Sequence, residues 1–317
     1  MTPRIRGPRP LGLAGLRGFE AAARLLSFTL AAEELHLTQS SISRQIRTLE
    51  DQLGRPLFKR RVRALELTPA GEHFQRVVRS MLADLDRAVG DIRRGPGRSR
   101  VTISTFATFA SLLLVPRLER FSSSHPEIDI RIDASDEVRD LEADGFDLAV
   151  RYLRRDRAPR DAVLLQEDPM MPVLAPALLD RIGPIAGPAD FARATMLVHD
   201  YGVRYAASQS WESWFAAVGE PMPLDAATIS VNFTYQALEA ALRGQGVVLA
   251  PLIFARDYLA RGELVAPIPV ILASPHGYYL ITNPATAAAE PVAAFSRWLI
   301  DEVRREGELD GDPQRGR

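Results

Sequence analysis

The sequence predicts a chain of two unlike parts: an N-terminal all-α winged helix-turn-helix module that runs into one long linker helix, and a C-terminal α/β region of two lobes. Three observations predict it. Three short helical stripes lie near the N-terminus, and a strand-turn-strand candidate follows them at 56–67. A heptad apolar repeat then runs unbroken to "RRGPGRSR". From Val101 onward, short β-rich runs alternate with helical patterns.

The first helix is written by Leu16, Phe19, Ala23 and Leu26, and the second by Phe28, Ala31, Ala32 and Leu35 after the start signal Ser27-Phe28-Thr29. Only His36 and Leu37 part the second helix from the third, which spaces Ile42, Ile46, Leu49 and Leu53 along one narrow stripe. Thr38 is placed to cap its start and Gly54 to end it. On the opposite face stand Ser40, Ser43, Arg44 and Arg47, with Gln39 in the first turn. In a winged helix-turn-helix that face enters a major groove, whereas an isolated helix would simply be solvated there.

Charge favours the groove. Residues 1–100 hold 19 Lys+Arg against 10 Asp+Glu, and the remainder holds 20 against 30, so a near-neutral chain hides a basic module on an acidic body. Arg55, Lys59, Arg60, Arg61 and Arg63 crowd the expected wing, and Lys59 is the only lysine in the chain.

Thr68-Pro69 then opens the linker helix, whose seam is Phe74, Val78, Met81, Leu85, Ala88 and Ile92, widened by Val77, Leu82 and Val89. A second copy of the chain is the expected partner of that seam, although a helix lying on its own module would show the same stripe. The sequence thus divides into a DNA-binding module at 1–67, a linker helix at 68–94, a hinge at 95–100, two α/β lobes at 101–306 and a flexible tail at 307–317. Within the lobes, helices are expected at Ala110–Phe121, Val138–Ala143, Trp211–Val218, Tyr235–Arg243 and near Pro291–Glu306, between mostly parallel strands.

The segment "LRGFEAAARLLSFTLAAEELHLTQSSISRQIRTLEDQLGRPLFKRRVRALELTPAG" resembles the DNA-binding region of LysR-type transcriptional regulators, in the branch of the glycine-cleavage activators and beta-lactamase regulators. The likeness continues through "LLVPRLERFSSSHPEIDI", "DLAVRY", "PVLAP", "LVHD" and "ALEAALRGQGVVLAP", over nearly the whole chain. It implies a sequence-specific regulator with a periplasmic-binding-protein-like effector domain. It places Gln39, Ser40, Ser43 and Arg44 on bases or nearby phosphates and Thr29 and Arg60 on phosphates, and it makes the linker helix the element through which chains pair. The implied partners are promoter DNA, a small-molecule effector, one or three further copies of the chain and, for an activator, RNA polymerase. Two departures limit the transfer: "LRRDRAPRD" replaces a Gly-rich, Trp-containing stretch after "AVRY", and Ala107 stands where the branch has proline.

In sheets of this kind a ligand binds at the carboxyl ends of strands, beside helix N-termini. The candidates are Ser104, Thr105 and Thr108 after the first strand, Arg151 and Tyr152 at a strand exit, His199 and Asp200 after "MLV", and Asn232 and Thr234 before a helix. The competing reading makes the Ser, Thr and Asn residues plain helix caps and His199-Asp200 a local pair.

Other functions fare worse. There is no Gly-rich phosphate loop, no G-x-S-x-G elbow and no metal-spaced group among the five histidines, so neither an enzyme nor a cofactor is expected. The absence of cysteine, of an apolar leader and of any apolar run near 18 residues makes a cytoplasmic protein with no membrane partner the expectation. The alternative is a cytoplasmic solute-binding sensor whose basic module contacts protein, and an enzyme carried by the lobes rests on fold analogy alone.

Overall fold

The computed structural model describes residues 11–60, 65–95, 97–135, 139–199, 209–223 and 225–308, and excludes the side chains of Arg60, Asp91, Arg94 and residues 306–308. Residues 309–317 of the expected tail, Asp200, and the wing tip with Arg61 and Arg63 lie outside the described residues, while 307 and 308 belong to the last helix rather than the tail. The chain forms two units: Met1–Arg98 with Arg139–Gly145, and Ser99–Val138 with Phe146–Arg317.

The first unit contains α1 (Leu13–Leu25), α2 (Phe28–Glu34), α3 (Gln39–Leu53), the hairpin β1 (Phe58–Arg60) and β2 (Leu65–Leu67), and α4 (Pro69–Arg94). Ser27 and Thr38 cap as expected, accepting from Leu30 N at 3.3 Å and Ser41 N at 3.2 Å. Gly54 ends α3 at φ +68°. Phe19, Ile42, Ile46 and Leu49 are buried together, and each full burial contributes roughly 1.5–3 kcal/mol. Phe19 meets Phe58 at 5.6 Å and Phe74 at 5.1 Å between ring centroids, which ties the hairpin and α4 to α1.

Several expectations change in this unit. Leu26 does not extend the α1 stripe; it closes the helix in the left-handed region at φ +46° and is 50% exposed. Leu53, in the last turn of α3, is likewise exposed. The α4 seam divides into two rows, because 74, 78 and 82 turn toward the unit's own core. Val78 is 2% exposed and Phe74 packs on the same cluster, so these two do not belong to a face for a second chain. Met81 at 43% and Ile92 at 80% exposure, with Leu85, Ala88, Val77 and Val89, form the outward row.

Of the expected Val138–Ala143 helix, Val138 lies outside the described residues, and residues 139–143 are not helical, with a turn over 141–145. Asp140 Oδ1 accepts from Ala143 N and Asp144 Oδ2 from Asp140 N, so aspartate side chains take backbone groups a helix would use. Asp144 pairs with Arg79, and Gly145, at φ +70°, lies where a Cβ would meet Ala83 Cβ at 2.7 Å.

The second unit begins with β3 (Ser99–Thr105), two residues inside the expected hinge. There follow α5 (Ala107–Phe109), a π-helical turn Ala110–Leu114, a tighter turn Val115–Arg117 and α6 (Leu118–Ser124), so the single expected helix is broken around Pro116. Next come β4 (Ile128–Ala134), β5 (Leu148–Arg154), β6 (Val163–Glu167), β7 (Met170–Val173), α7 (Pro176–Ile182), β8 (Met196–His199), α8 (Trp211–Val218) and β9 (Thr228–Val231). The unit ends with α9 (Thr234–Leu242), β10 (Val247–Pro251), α10 (Leu252–Ala260), β11 (His276–Thr282) and α11 (Glu290–Glu308). Neither β6, α7 nor α10 was expected.

The strands make two sheets, β4-β3-β5-β11-β6 and β7-β10-β8-β9. Both are mixed, a correction to the mostly parallel expectation: β11 runs antiparallel to β5 and β6, and β7 antiparallel to β10. Antiparallel pairing follows from the chain crossing twice between sheets, at 168–169 and at 261–275, where Met170 bridges Leu272. One apolar core continues from Ile103, Phe121 and Phe295 of the first lobe through Phe254 to Val248 of the second. A further core around Phe191, Trp211, Trp214 and Phe215 fills the second lobe.

Candidate nucleic-acid interface and ligand site

The outward face of α3 is set by its caps and its buried stripe. Gln39, Ser40, Arg44 and Arg47 are exposed, Ser43 is half-buried, and Thr29 is exposed on α2. Thr38 Oγ1 lies 3.0 Å from Ser40 Oγ, and Thr48 donates to Arg44 O at 3.0 Å, fixing both ends of that face. Four other guanidiniums of the unit are neutralised: Arg17 pairs with Asp86, Arg24 with Glu20 and Glu34, Arg79 with Asp144 and Arg87 with Asp84. No carboxylate among the described residues pairs with Arg44 or Arg47, which leaves two free cations on a rigid helix. Lys59 is exposed on β1, and Arg60 lies in the same strand. Free guanidiniums beside hydroxyl and amide groups suit phosphate and base-edge contacts.

In the second unit the expected ligand residues fall into three groups. Ser104 and Thr105 are fully buried at the end of β3, and Arg151 donates to Ser104 O at 3.1 Å and Ser104 Oγ at 2.9 Å. Burial lowers the Arg151 pKa, opposed by the charge of Asp133. In the second lobe, His199 Nε2 lies 2.7 Å from Asn232 O and Nδ1 lies 3.1 Å from Thr234 Oγ1. A carbonyl only accepts, so Nε2 donates to Asn232 O. The Thr234 contact holds His199 to the start of α9. The cap reading is corrected too: the N-cap residues of α5 and α9 are Phe106 and Phe233, neither of which has a side-chain cap, and Thr108 lies buried inside α5.

The third group contains residues missed from the sequence. Tyr152 donates to Asp168 Oδ2 at 2.7 Å, Tyr278 to Asp168 Oδ1 at 2.8 Å, and Gln209 Nε2 to Asp168 Oδ2 at 2.9 Å and also to the Tyr152 hydroxyl. Asp168, 1% exposed, occupies the first crossing, while Gln209 stands just before Ser210, the N-cap of α8 in the second lobe. Burial raises the Asp168 carboxyl to about 6, against the pull of the two tyrosine hydrogen bonds. His276 stacks on Tyr152 at 5.2 Å, its own pKa lowered by burial and then by Arg154. The signal that could have exposed this group is a lone Asp-Pro between two β runs, with the tyrosine of "HGYYLIT" brought opposite Tyr152 by antiparallel pairing.

Among the described residues no cluster of His, Cys, Asp and Glu could hold a metal, and no helix is long and apolar enough to cross a membrane.

Comparison with known proteins gives two family matches: residues 13–72 match the bacterial regulatory helix-turn-helix proteins of the lysR family, and residues 94–304 the LysR substrate binding domain. The glycine cleavage system transcriptional activator of Escherichia coli K12 is 36% identical over 300 residues, covering 93% of this chain and 95% of that protein. The transcriptional activator AmpR of Rhodobacter capsulatus is 36% identical over 296 residues, covering 92% and 97%. Among solved structures, the effector domain of Pseudomonas aeruginosa AmpR is 29% identical with a TM-score of 0.54, covering 67% of this chain and all of that one. Full-length LysG of Corynebacterium glutamicum, 20% identical with a TM-score of 0.57 over 92% of this chain and 98% of that one, shares the fold.

Proposed function

Because this chain belongs to the LysR family of bacterial transcriptional regulators, we propose that it reads promoter DNA with Gln39, Ser40, Ser43, Arg44 and Arg47 while Thr29 and Arg60 hold phosphates. A helix-turn-helix and an effector-binding domain are present, and the relatives are regulators of transcription, which favours DNA over protein as the partner of the basic module. The observation that carries the reading is the pair of unpaired guanidiniums on a capped helix whose other face is sealed in the core. A two-fold pair of such helices spans half-sites one helical turn apart, so a homodimer or homotetramer joined through Met81, Leu85, Ala88 and Ile92 fits the task.

The effector is bound between the lobes, against Ser104, Thr105, Thr108, Arg151 and Tyr152 on one side and His199, Asn232 and Thr234 on the other, with Asp200 next in sequence to His199. Support comes from their positions at strand exits and helix starts of the two sheets. The relatives named as activators suggest activation, with RNA polymerase as partner and the cytoplasm as the place of action. Gel shifts with the DNA upstream of its own gene, at two salt concentrations, test this: a specific shift that survives higher salt better than a scrambled duplex supports it, and equal behaviour of the two duplexes rejects it.

A further inference from the structure

Leu57 lies between α3 and α4, and its peptide is held from both sides. Its N–H donates to Glu50 Oε1 on α3 at 2.7 Å, and the N–H of Phe58 donates to the same oxygen at 3.2 Å. Its carbonyl accepts from Thr68 N at 2.9 Å and has Thr68 Oγ1 at 3.3 Å. That hydroxyl also donates to Pro56 O at 2.8 Å and, as the cap of α4, accepts from Gly71 N at 3.0 Å. A Cβ on Gly71 would stand 2.1 Å from Leu57 O, so the first turn of α4 presses directly on this carbonyl.

The hairpin itself cannot supply such fixation. β1 and β2 pair over three residues each and belong to no larger sheet, and an isolated two-stranded ribbon is marginal in water. Glu50 is half-buried, where a carboxylate that accepts two amides makes stronger hydrogen bonds than neutral acceptors do. It takes no part in the outward face of α3.

We infer that Glu50 is a positioning residue that fixes the wing to the DNA-reading helix and, through the Leu57 peptide, locks that helix to the start of α4. Movement of α4 is then delivered to Arg44 and its neighbours without slack. The linker helix and the reading face turn as one piece.

The inference rests on the DNA-binding reading above and is tested separately from it. Full-length wild-type, Glu50→Gln and Glu50→Ala proteins are titrated against the DNA upstream of the gene and a scrambled duplex of equal length. Glu50→Ala is expected to lower the ratio of specific to non-specific affinity by about tenfold, the scale of one lost base contact. Glu50→Gln loses the same charge but keeps an acceptor, and should stay within about twofold of wild type, since a charge effect alone would move both variants together. A wild-type ratio in Glu50→Ala, or equal loss in both variants, overturns the proposal. Amide exchange of Leu57 and Phe58 in the wild-type protein decides independently of how the variants fold or which DNA is used: exchange as slow as the α3 core supports the clamp, and exchange at loop rates overturns it. If wild type prefers neither duplex while both amides stay protected, the DNA-binding reading fails and the clamp stands.

Discussion

Tyr152 donates a hydrogen bond from its hydroxyl to Asp168 at 2.7 Å, joining a strand of one lobe to the segment that crosses to the other. With Tyr278 and Gln209 on the same carboxyl, the crossing is fastened by one buried acid that has three neutral donors. Its pKa rises from 3.8 to about 6 on folding, so the folded state holds the proton more tightly than the unfolded chain. This group's stabilising contribution is complete below pH 3.8 and is lost as pH rises through about 6, a span worth roughly 3 kcal/mol. Asp168→Asn does not titrate and should flatten that decline. Urea unfolding of the two proteins at several pH values between those limits checks it, and parallel curves would show that Asp168 is not the group responsible.

Arg44→Ala should cost about 1–3 kcal/mol of specific DNA affinity while hardly changing non-specific binding. Arg60→Ala should weaken all sequences alike and reduce the salt slope by about one charge. An unchanged specific-to-non-specific ratio in Arg44→Ala would remove Arg44 from the reading face.

The divided seam of α4 separates two substitutions three residues apart. Met81→Asp sets a charge on the outward row, and should dissociate the assembly and abolish tight DNA binding while the module stays folded. Val78→Asp buries an unpartnered charge at a cost of several kcal/mol and should unfold the module itself. Light scattering and circular dichroism distinguish the outcomes; a wild-type-sized oligomer for Met81→Asp would rule out the outward row as an interface.

Thr108→Ala and Asn232→Ala, singly and together, should shift the response of a reporter to its inducing condition while uninduced DNA binding stays near normal, because only the ligand-favoured state loses contacts. Normal induction in the double variant would take the effector away from these residues.

Local signals made the first unit legible. Ser27, Thr38, Gly54 and Thr68-Pro69 each act through backbone groups a few residues away, so sequence neighbours decide them. The α4 stripe was visible, but its division was not, since a 26-residue helix can offer adjacent rows to different neighbours and only tertiary packing assigns them. Arg151 with Ser104 and His199 with Thr234 lay among residues chosen by position. Their pairing came from strand register and from side chains 47 and 35 residues apart. Asp168 escaped because its burial depends on two tyrosines and a glutamine that three separate segments deliver.

The lone lysine gives the wing a chemical address. Lys59 is exposed on β1, and every other cationic side chain of the basic module is an arginine or a histidine. An amine-directed reagent therefore has one side-chain target in the whole protein. If the wing lies against a phosphate backbone, DNA should shield that single amine. Its rate of acetylation then reports wing occupancy residue-specifically, without a label being introduced.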